Sequence, residues 1–341
     1  MGRLSQLFNS NPNLDAVLLL SWDASQPTDA NFHYITGSEI DRATFIATHN
    51  ETPYLLCNQL NYELARETFR GTAVKFEPQE YGRKLSSLLR GAKTVGISKR
   101  DISAAYLEAL RKATKAKLVD ISDSLLLQRM KKDEKEISHI KRACSIARKS
   151  LSSLYLRPGK TEKELQHELL SILHSNFADP SFAPIIVFGS NARFPHGKSG
   201  NRRLRKGEIA LIDWGARWNS YCSDTTRCMF VGEPAREQEK AYEKLQDAFK
   251  EILGFIRPGM PARKVSAFAS EQLKEAGLPQ MPHGIGHGIG LEVHEYPSFA
   301  KTSKHKLVEN STLAIEPAAY FKGFGARFEE TILLKRRATI L

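Results

Sequence analysis

IDWGARWNSYCSDTTR, residues 212–227, places two aspartates, Asp213 and Asp224, eleven positions apart within strand-like sequence. A carboxylate inside a run such as IALIDWGARW (209–218) carries a severe desolvation cost unless cations or hydrogen-bond donors neutralise it. A turn around Trp218 to Ser220 lets two strands present both acids on one face, with Asp224 returning opposite Asp213. Taken singly, Asp224 also reads as an Asx-turn residue and Asp213 as a strand-end cap. That reading does not explain why both lie in strand-like contexts.

Two later segments carry the same signature. In PHGIGHGIGLEVHE (282–295), His283, His287 and His294 are spaced by four and seven. Gly284, Gly286, Gly288 and Gly290 oppose a helix there, so the spacing predicts a glycine loop running into a strand at LEV (291–293). Only His294-Glu295 matches the HExxH zinc-helix pattern, and no histidine follows at the required distance. In AIEPAAYFKGFGARFEE (314–330), Glu316 and Glu329 can face each other across a hairpin. Arg327 shares the strand face of Glu329 and can brace a neighbouring carboxylate, although an ordinary Arg and Glu ladder gives the same spacing. Four carboxylates balance the charge of two divalent ions, and one imidazole gives one ion a nitrogen ligand. The GKS that ends VFGSNARFPHGKS (187–199) imitates a phosphate loop, but alanine at position 192 stands where the Walker pattern needs glycine.

The 341 residues exceed one comfortable core, which predicts two domains, and 41% hydrophobic with 26% charged residues is a globular composition. The longest early apolar run, AVLLL at 16–20, is too short to span a bilayer, and no basic segment with a cleavage site precedes it, so a cytoplasmic protein without membrane contact is expected. Cys57, Cys144, Cys222 and Cys228 have no metal-ligand spacing and are expected to be free thiols. The net charge of +12 is scattered over several segments without interleaved aromatics, which argues against a nucleic-acid partner.

Residues 1–122 alternate strands (LDAVLLLSW, ATFIAT, TPYLLC, AVKFEP, TVGIS, AKLVDIS) with helical spacing at 61–69, 81–89 and 102–113, an α/β domain. A linker is placed at 123–132 and a second domain at 133–341. That domain opens with a long amphipathic helix near Asp133 and a capping box at Thr161 and Glu164. Two helices followed by strands occur twice, which predicts a duplicated α+β domain with its acids where the two sheets join.

With these segments in place, the chain resembles the pita-bread metallopeptidases of the Xaa-Pro group, the prolidases and aminopeptidases P. NFHYITGSE (31–39) is similar to their amino-terminal domain, RMKKDEKEISHIKRA (129–143) to their interdomain helix, and the region from His196 onward to their ligand motifs. EPAAY in place of the usual EPG, Glu330 in place of the common Asp, and a hairpin one residue short are departures. The resemblance implies an α/β amino-terminal domain followed by an α+β pita-bread catalytic domain. It makes Asp213, Asp224, His287, Glu316 and Glu329 ligands of two divalent ions, manganese or cobalt before zinc or iron, with Asp224 and Glu329 bridging. It makes His196, His283, His294 and Arg327 substrate contacts and gives Glu316, His294 and His196 catalytic roles. The implied reaction is hydrolysis of the bond before proline in short peptides by a metal-bridging hydroxide, in a homodimer. Methionine-aminopeptidase-like activity and a non-catalytic binding module of the same fold are the alternatives.

Overall fold

Strand β1 (Ala16–Ser21) buries both of its faces, Val17 and Leu19 in one core and Ala16 and Leu18 in another. Period-two side chains give this pattern when helices cover both sides of a sheet. The structure is a computed structural model and describes residues 2–21, 29–49 and 51–341. Around β1 lie β2 (Ala43–Thr48), β3 (Tyr54–Cys57), β4 (Thr72–Lys75), β5 (Thr94–Ile97) and β6 (Lys117–Asp120), in the order β4-β3-β2-β1-β5-β6. The β1/β2 and β2/β3 pairs are antiparallel and the others parallel. All six strands coincide with the apolar runs in the sequence, except that Trp22, the expected end of the first, lies outside the described residues.

The helices of this unit are α1 (Arg3–Ser10), α2 (Ala30–Thr36), α3 (Gln59–Thr68), α4 (Tyr81–Leu88) and α5 (Ala104–Ala113). The last three follow the expected spacing. Helices α1 and α2 lie outside the segments whose spacing predicts a helix. Helix α2 is set by its ends instead: Asp29 accepts a hydrogen bond from the Phe32 amide, and Gly37 closes the helix at φ +67°. The segment expected as a linker is mostly helical, because α6 runs Ser122–Met130, and the chain divides into compact units at 128/129.

The second unit is a repeat. Helices α7 (Glu134–Ser153) and α8 (Glu162–Ser175) start at the capping boxes of Asp133 with Glu136 and Thr161 with Glu164. They are followed by β7 (Asp179–Pro180), β8 (Ile185–Phe188), β9 (Ile209–Trp214), β10 (Ala216–Trp218), β11 (Tyr221–Cys222) and β12 (Thr225–Phe230). Helices α9 (Arg236–Phe255) and α10 (Ala262–Glu275) then lead into β13 (Gly286–Gly288), β14 (Glu295–Ser298), β15 (Ser311–Ile315), β16 (Ala318–Tyr320), β17 (Gly325–Arg327), β18 (Glu330–Leu334) and β19 (Ala338–Ile340). Antiparallel β8, β9 and β12 correspond to β13, β15 and β18. The same tripeptide, Arg157-Pro158-Gly159 and Arg257-Pro258-Gly259, precedes the second helix of each half. Each glycine has a positive φ, and each amide donates to a matching carbonyl, Gly159 to Leu204 and Gly259 to Leu307.

The expected strand at 291–293 is a bend, and the presumed glycine loop already contains a strand, because His287 sits in β13 opposite Ala314. Glycine allows this: a Cβ at Gly288 would lie 2.0 Å from the Tyr296 carbonyl oxygen, so the glycines narrow a sheet and do not loosen a loop. In β9, Ala210, Ile212 and Trp214 pack with Leu165 and Leu169 of α8, while Ile209 and Leu211 pack with Ala241 and Leu245 of α9. Asp213 therefore continues the row of Ile209 and Leu211. All four cysteines are buried and free. Among the described residues no helix is long and apolar enough to cross a membrane.

Between β9 and β10 a Cβ on Gly215 would meet the Ser223 carbonyl oxygen at 1.8 Å, whereas Gly254, inside α9, has nothing within 4 Å. Gly215→Ala is expected to destabilise the second unit by about 2 kcal/mol through forced backbone shifts. Gly254→Ala is expected to stabilise it by about 0.5 kcal/mol, as helical Gly to Ala exchanges do. Urea unfolding of the two variants checks both signs.

Candidate metal centre

The turn that brings the two aspartates together is tight. Asn219 and Ser220 have φ of +46° and +68°, the left-handed pair of a type I′ hairpin turn, and join β10 to β11. Beyond it the register differs from expectation. Asp213 pairs with Thr226 in the β9/β12 ladder, and Asp224 lies just before that ladder. The excursion through β10 and β11 forms a separate small sheet, so the acids converge from neighbouring positions and not as a directly opposed pair. Across the other hairpin β15 pairs with β18, matching Ile315 with Glu330, and β16 pairs with β17, matching Ala318 with Arg327. Glu316 and Glu329 sit between these two ladders, at the facing positions their spacing suggested.

The two halves are laced together at the acids. The Glu329 amide donates to Thr226 O (3.2 Å), Thr225 Oγ1 donates to Glu329 O (2.9 Å), and the Asp224 amide donates to Thr331 Oγ1 (3.0 Å). Thr226 Oγ1 donates to Glu329 Oε2 at 2.6 Å. In this junction Asp224, His287 and Glu329, all buried, each offer a ligand atom within 4.8 Å of the others'. His287 Nε2 is 3.6 Å from Asp224 Oδ2. At about 4 to 5 Å and an effective dielectric of about 20, two such carboxylate charges repel by roughly 3–4 kcal/mol.

Asp213 and Glu316 flank this trio. Asp213 is ion-paired with Arg327 Nη2, and Glu316 Oε2 is 3.8 Å from His283 Nδ1. The Arg327 guanidinium is only 4% exposed and is held on every side by the protein. Its Nε donates to Thr226 Oγ1 (3.0 Å) and its Nη1 to Tyr320 Oη (3.0 Å) and Pro195 O (3.2 Å). Tyr320 Oη is also 2.9 Å from His283 Nε2. A continuous chain therefore runs Asp213, Arg327, Tyr320, His283. Tyr320 and Thr226 were not singled out in the sequence; Tyr320 is recognisable only because β16 and β17 place it beside Arg327. His294 is exposed, with its ring 4.3 Å from that of His287. His196 is also exposed, close enough for its charge to act on Asp213 and His294.

The donor set fits divalent cations. Asp213 Oδ1 and Asp224 Oδ1 are buried acceptors without a hydrogen-bond donor, a costly state that a cation relieves. Burial, with the charges of Glu329, Asp213 and Glu316, pushes Asp224 well above the usual carboxylate range, and burial with Glu316 and Asp213 does the same to Glu329. Burial pushes Glu316 up to about 7. Burial also lowers His287 to about 4, so its imidazole is neutral and able to ligate at pH 7.

The loop that carries His294 is anchored separately. Glu295 accepts from Arg129 and from Lys132 Nζ (2.9 Å), all three side chains being 1–2% exposed, and Glu295 Oε1 accepts the Glu292 amide (3.1 Å). The two cations, led in effect by Arg129, outweigh burial and hold Glu295 near 2. This cluster was invisible in the sequence because Arg129 and Lys132 lie more than 160 positions from their partner.

Residues 138–336 match metallopeptidase family M24, and residues 3–131 match the creatinase/prolidase N-terminal domain. The chain is 31% identical over 338 residues to a Xaa-Pro dipeptidase of Pyrococcus horikoshii, covering 97% of this chain and 93% of that one. Among solved structures it is similar to a prolidase from Pyrococcus furiosus (TM-score 0.88, 29% identity, 98% of each chain covered). It is also similar to an X-Pro aminopeptidase from Thermotoga maritima (TM-score 0.89, 27% identity, 96% and 95% covered). The pita-bread architecture with its amino-terminal α/β domain is thus the one expected.

Two experiments probe this geometry. In metal-free protein the folded state keeps carboxyl protons on Asp224, Glu329 and Glu316 that the unfolded chain has released, so stability falls as pH rises. The lowered histidines act in the opposite sense, but only around and below pH 6.5. The thermal midpoint of metal-free protein is therefore expected to fall as pH rises from about 6.5, above the histidines, through the value near 7 at which Glu316 titrates, and added manganese to abolish the fall. For the anchor, Glu295→Gln leaves Arg129 and Lys132 underneutralised and is expected to cost about 3 kcal/mol in urea unfolding.

Proposed function

The chain belongs to metallopeptidase family M24, and on that footing we propose that it hydrolyses the peptide bond preceding proline in short peptides, as an Xaa-Pro dipeptidase or aminopeptidase. The similarity to proteins named for that activity supports the substrate class. The observation that carries the chemistry is the convergence of buried acids with unsatisfied oxygens on His287 at the junction of the two half-sheets.

Asp213, Asp224, His287, Glu316 and Glu329 would hold the divalent ions. Manganese or cobalt, when bound, supplies the Lewis acidity that polarises the scissile carbonyl and acidifies water at neutral pH. The protein's own groups then manage the protons. Glu316, whose affinity for a proton lies near neutrality in the cation-free site, takes one from the attacking water and delivers it to the departing nitrogen. That proton is essential, since the nitrogen of an Xaa-Pro bond carries no hydrogen and leaves as a secondary amine. His294 donates to the oxyanion that develops on the carbonyl. His283, fixed by Tyr320, and His196 orient the proline side of the substrate. Arg327, with its guanidinium bonded to Asp213, Thr226 and Tyr320, sets the angle of Asp213 and the place of His283.

Purified protein supplied with manganese or cobalt is expected to cleave Ala-Pro or Ala-Pro-Ala; cleavage of neither contradicts the proposal. Glu316→Gln is expected to keep some metal yet lower kcat at least about 100-fold, whereas Asp224→Asn loses metal and turnover together. Titration calorimetry with manganese beside steady-state kinetics separates the two.

A further inference from the structure

Both oxygens of one fully buried carboxylate, Glu162 at the first position of α8, are spent on a single stretch of chain. Oε1 accepts from the Phe188 amide (2.8 Å) and from Asn191 Nδ2 (2.9 Å), and Oε2 accepts from the Gly200 amide (2.8 Å). These donors stand at the two ends of the segment between β8 and β9 that carries His196. All three are N–H groups, which a carboxylate matches and a side chain with a donor of its own does not. Burying a carboxylate without a cation is costly, and Glu162 has no ion-pair partner among the described residues.

The repeat shows that the helix start does not itself require this group. The backbone bonds around the first turn of α8 recur at α10: Leu204 N to Lys160 O matches Leu307 N to Met260 O, and Glu162 N to Arg202 O matches Ala262 N to His305 O. Ala262 is therefore the counterpart of Glu162, and it is buried as fully. Of the two halves, the one whose loop carries His196 has the carboxylate and the other has a methyl group. The loop of His294 is held instead by Glu295 with Arg129 and Lys132. At the tip of the Glu162-bound segment, Pro195 O accepts from Arg327 Nη1 (3.2 Å), and the next residue, His196, is exposed. A segment gripped at both ends and tied to Arg327 at its tip leaves few positions open to His196. We infer that Glu162 is a positioning residue, which fixes the two ends of 188–200 and so sets where His196 meets the substrate; what His196 does there rests on the Xaa-Pro reading above.

The test is a double-mutant cycle between Glu162→Gln and His196→Ala in manganese-loaded protein, with Ala-Pro and Ala-Pro-Ala as substrates. Glutamine keeps the shape of the side chain but turns an NH2 group toward an N–H donor. Glu162→Gln is expected to lower kcat/KM about tenfold, mainly through KM, with manganese stoichiometry unchanged, and to have no further effect in the His196→Ala background. Hydrogen exchange read by mass spectrometry is expected to quicken across 188–200 in Glu162→Gln and to stay as it is in β13 and β15. Asn191→Ala removes one donor and leaves Glu162 in place; it gives the same pattern at about threefold, and decides the matter should the glutamine variant not fold. Effects that add in the double variant, or exchange across 188–200 that neither variant alters, overturn the role of Glu162 while the Xaa-Pro reading stands. If the wild-type chain cleaves no Xaa-Pro peptide, that reading falls, and exchange alone decides whether Glu162 holds the segment.

Discussion

Carboxylates buried within a few ångströms of one another repel, and the fold of residues 129–341 is arranged to hold them together against that repulsion. The forces that do so are local and numerous. Thr225, Thr226 and Thr331 bond across the junction between β12 and the strand carrying Glu329, and Arg327 places one positive charge against Asp213. One guanidinium cannot neutralise four acids. The remaining deficit is visible in Asp213 Oδ1 and Asp224 Oδ1, which are buried without donors, and in the raised proton affinities of Asp224 and Glu329. Cations resolve it, and so the same arrangement that is unfavourable when empty is a site when filled.

The repeat explains how such a centre can be built from ordinary parts. Each half supplies two helices and an antiparallel triplet of strands, with matched bonds at Gly159 and Gly259. The acids come from corresponding positions of the two triplets, Asp213 and Glu316 at the ends of the central strands β9 and β15, Asp224 and Glu329 just before β12 and β18, and they meet at the seam. Apolar packing of β9 against α8 and α9 keeps the strand that carries Asp213 rigid. The His294 loop, which lacks such packing, is tied down by the buried Arg129, Lys132 and Glu295 group. Buried ion pairs of this kind contribute little net stability and fix a conformation.

Much of this was legible in the residues. Long apolar runs and capping boxes located β1 to β6, α7 and α8, because each is decided by local periodicity or by a side chain within three positions. The facing of Glu316 and Glu329 followed from one short hairpin. What escaped was decided at a distance. The hairpin between Asp213 and Asp224 shifts register through β10 and β11, a choice that depends on the Gly215 backbone lying against Ser223. His287 is in a strand because β15 lies beside it, not because of its own neighbours. The links from Arg327 to Tyr320 and from Glu295 to Arg129 join residues whose side chains meet only after the sheets have formed.

The central claim is that the seam between the two half-sheets exists to hold two divalent cations. Titration calorimetry of chelator-treated protein with manganese measures it directly. Two ions bound per chain, with binding lost in Glu329→Gln, is the result this account predicts; one ion or none per chain contradicts it.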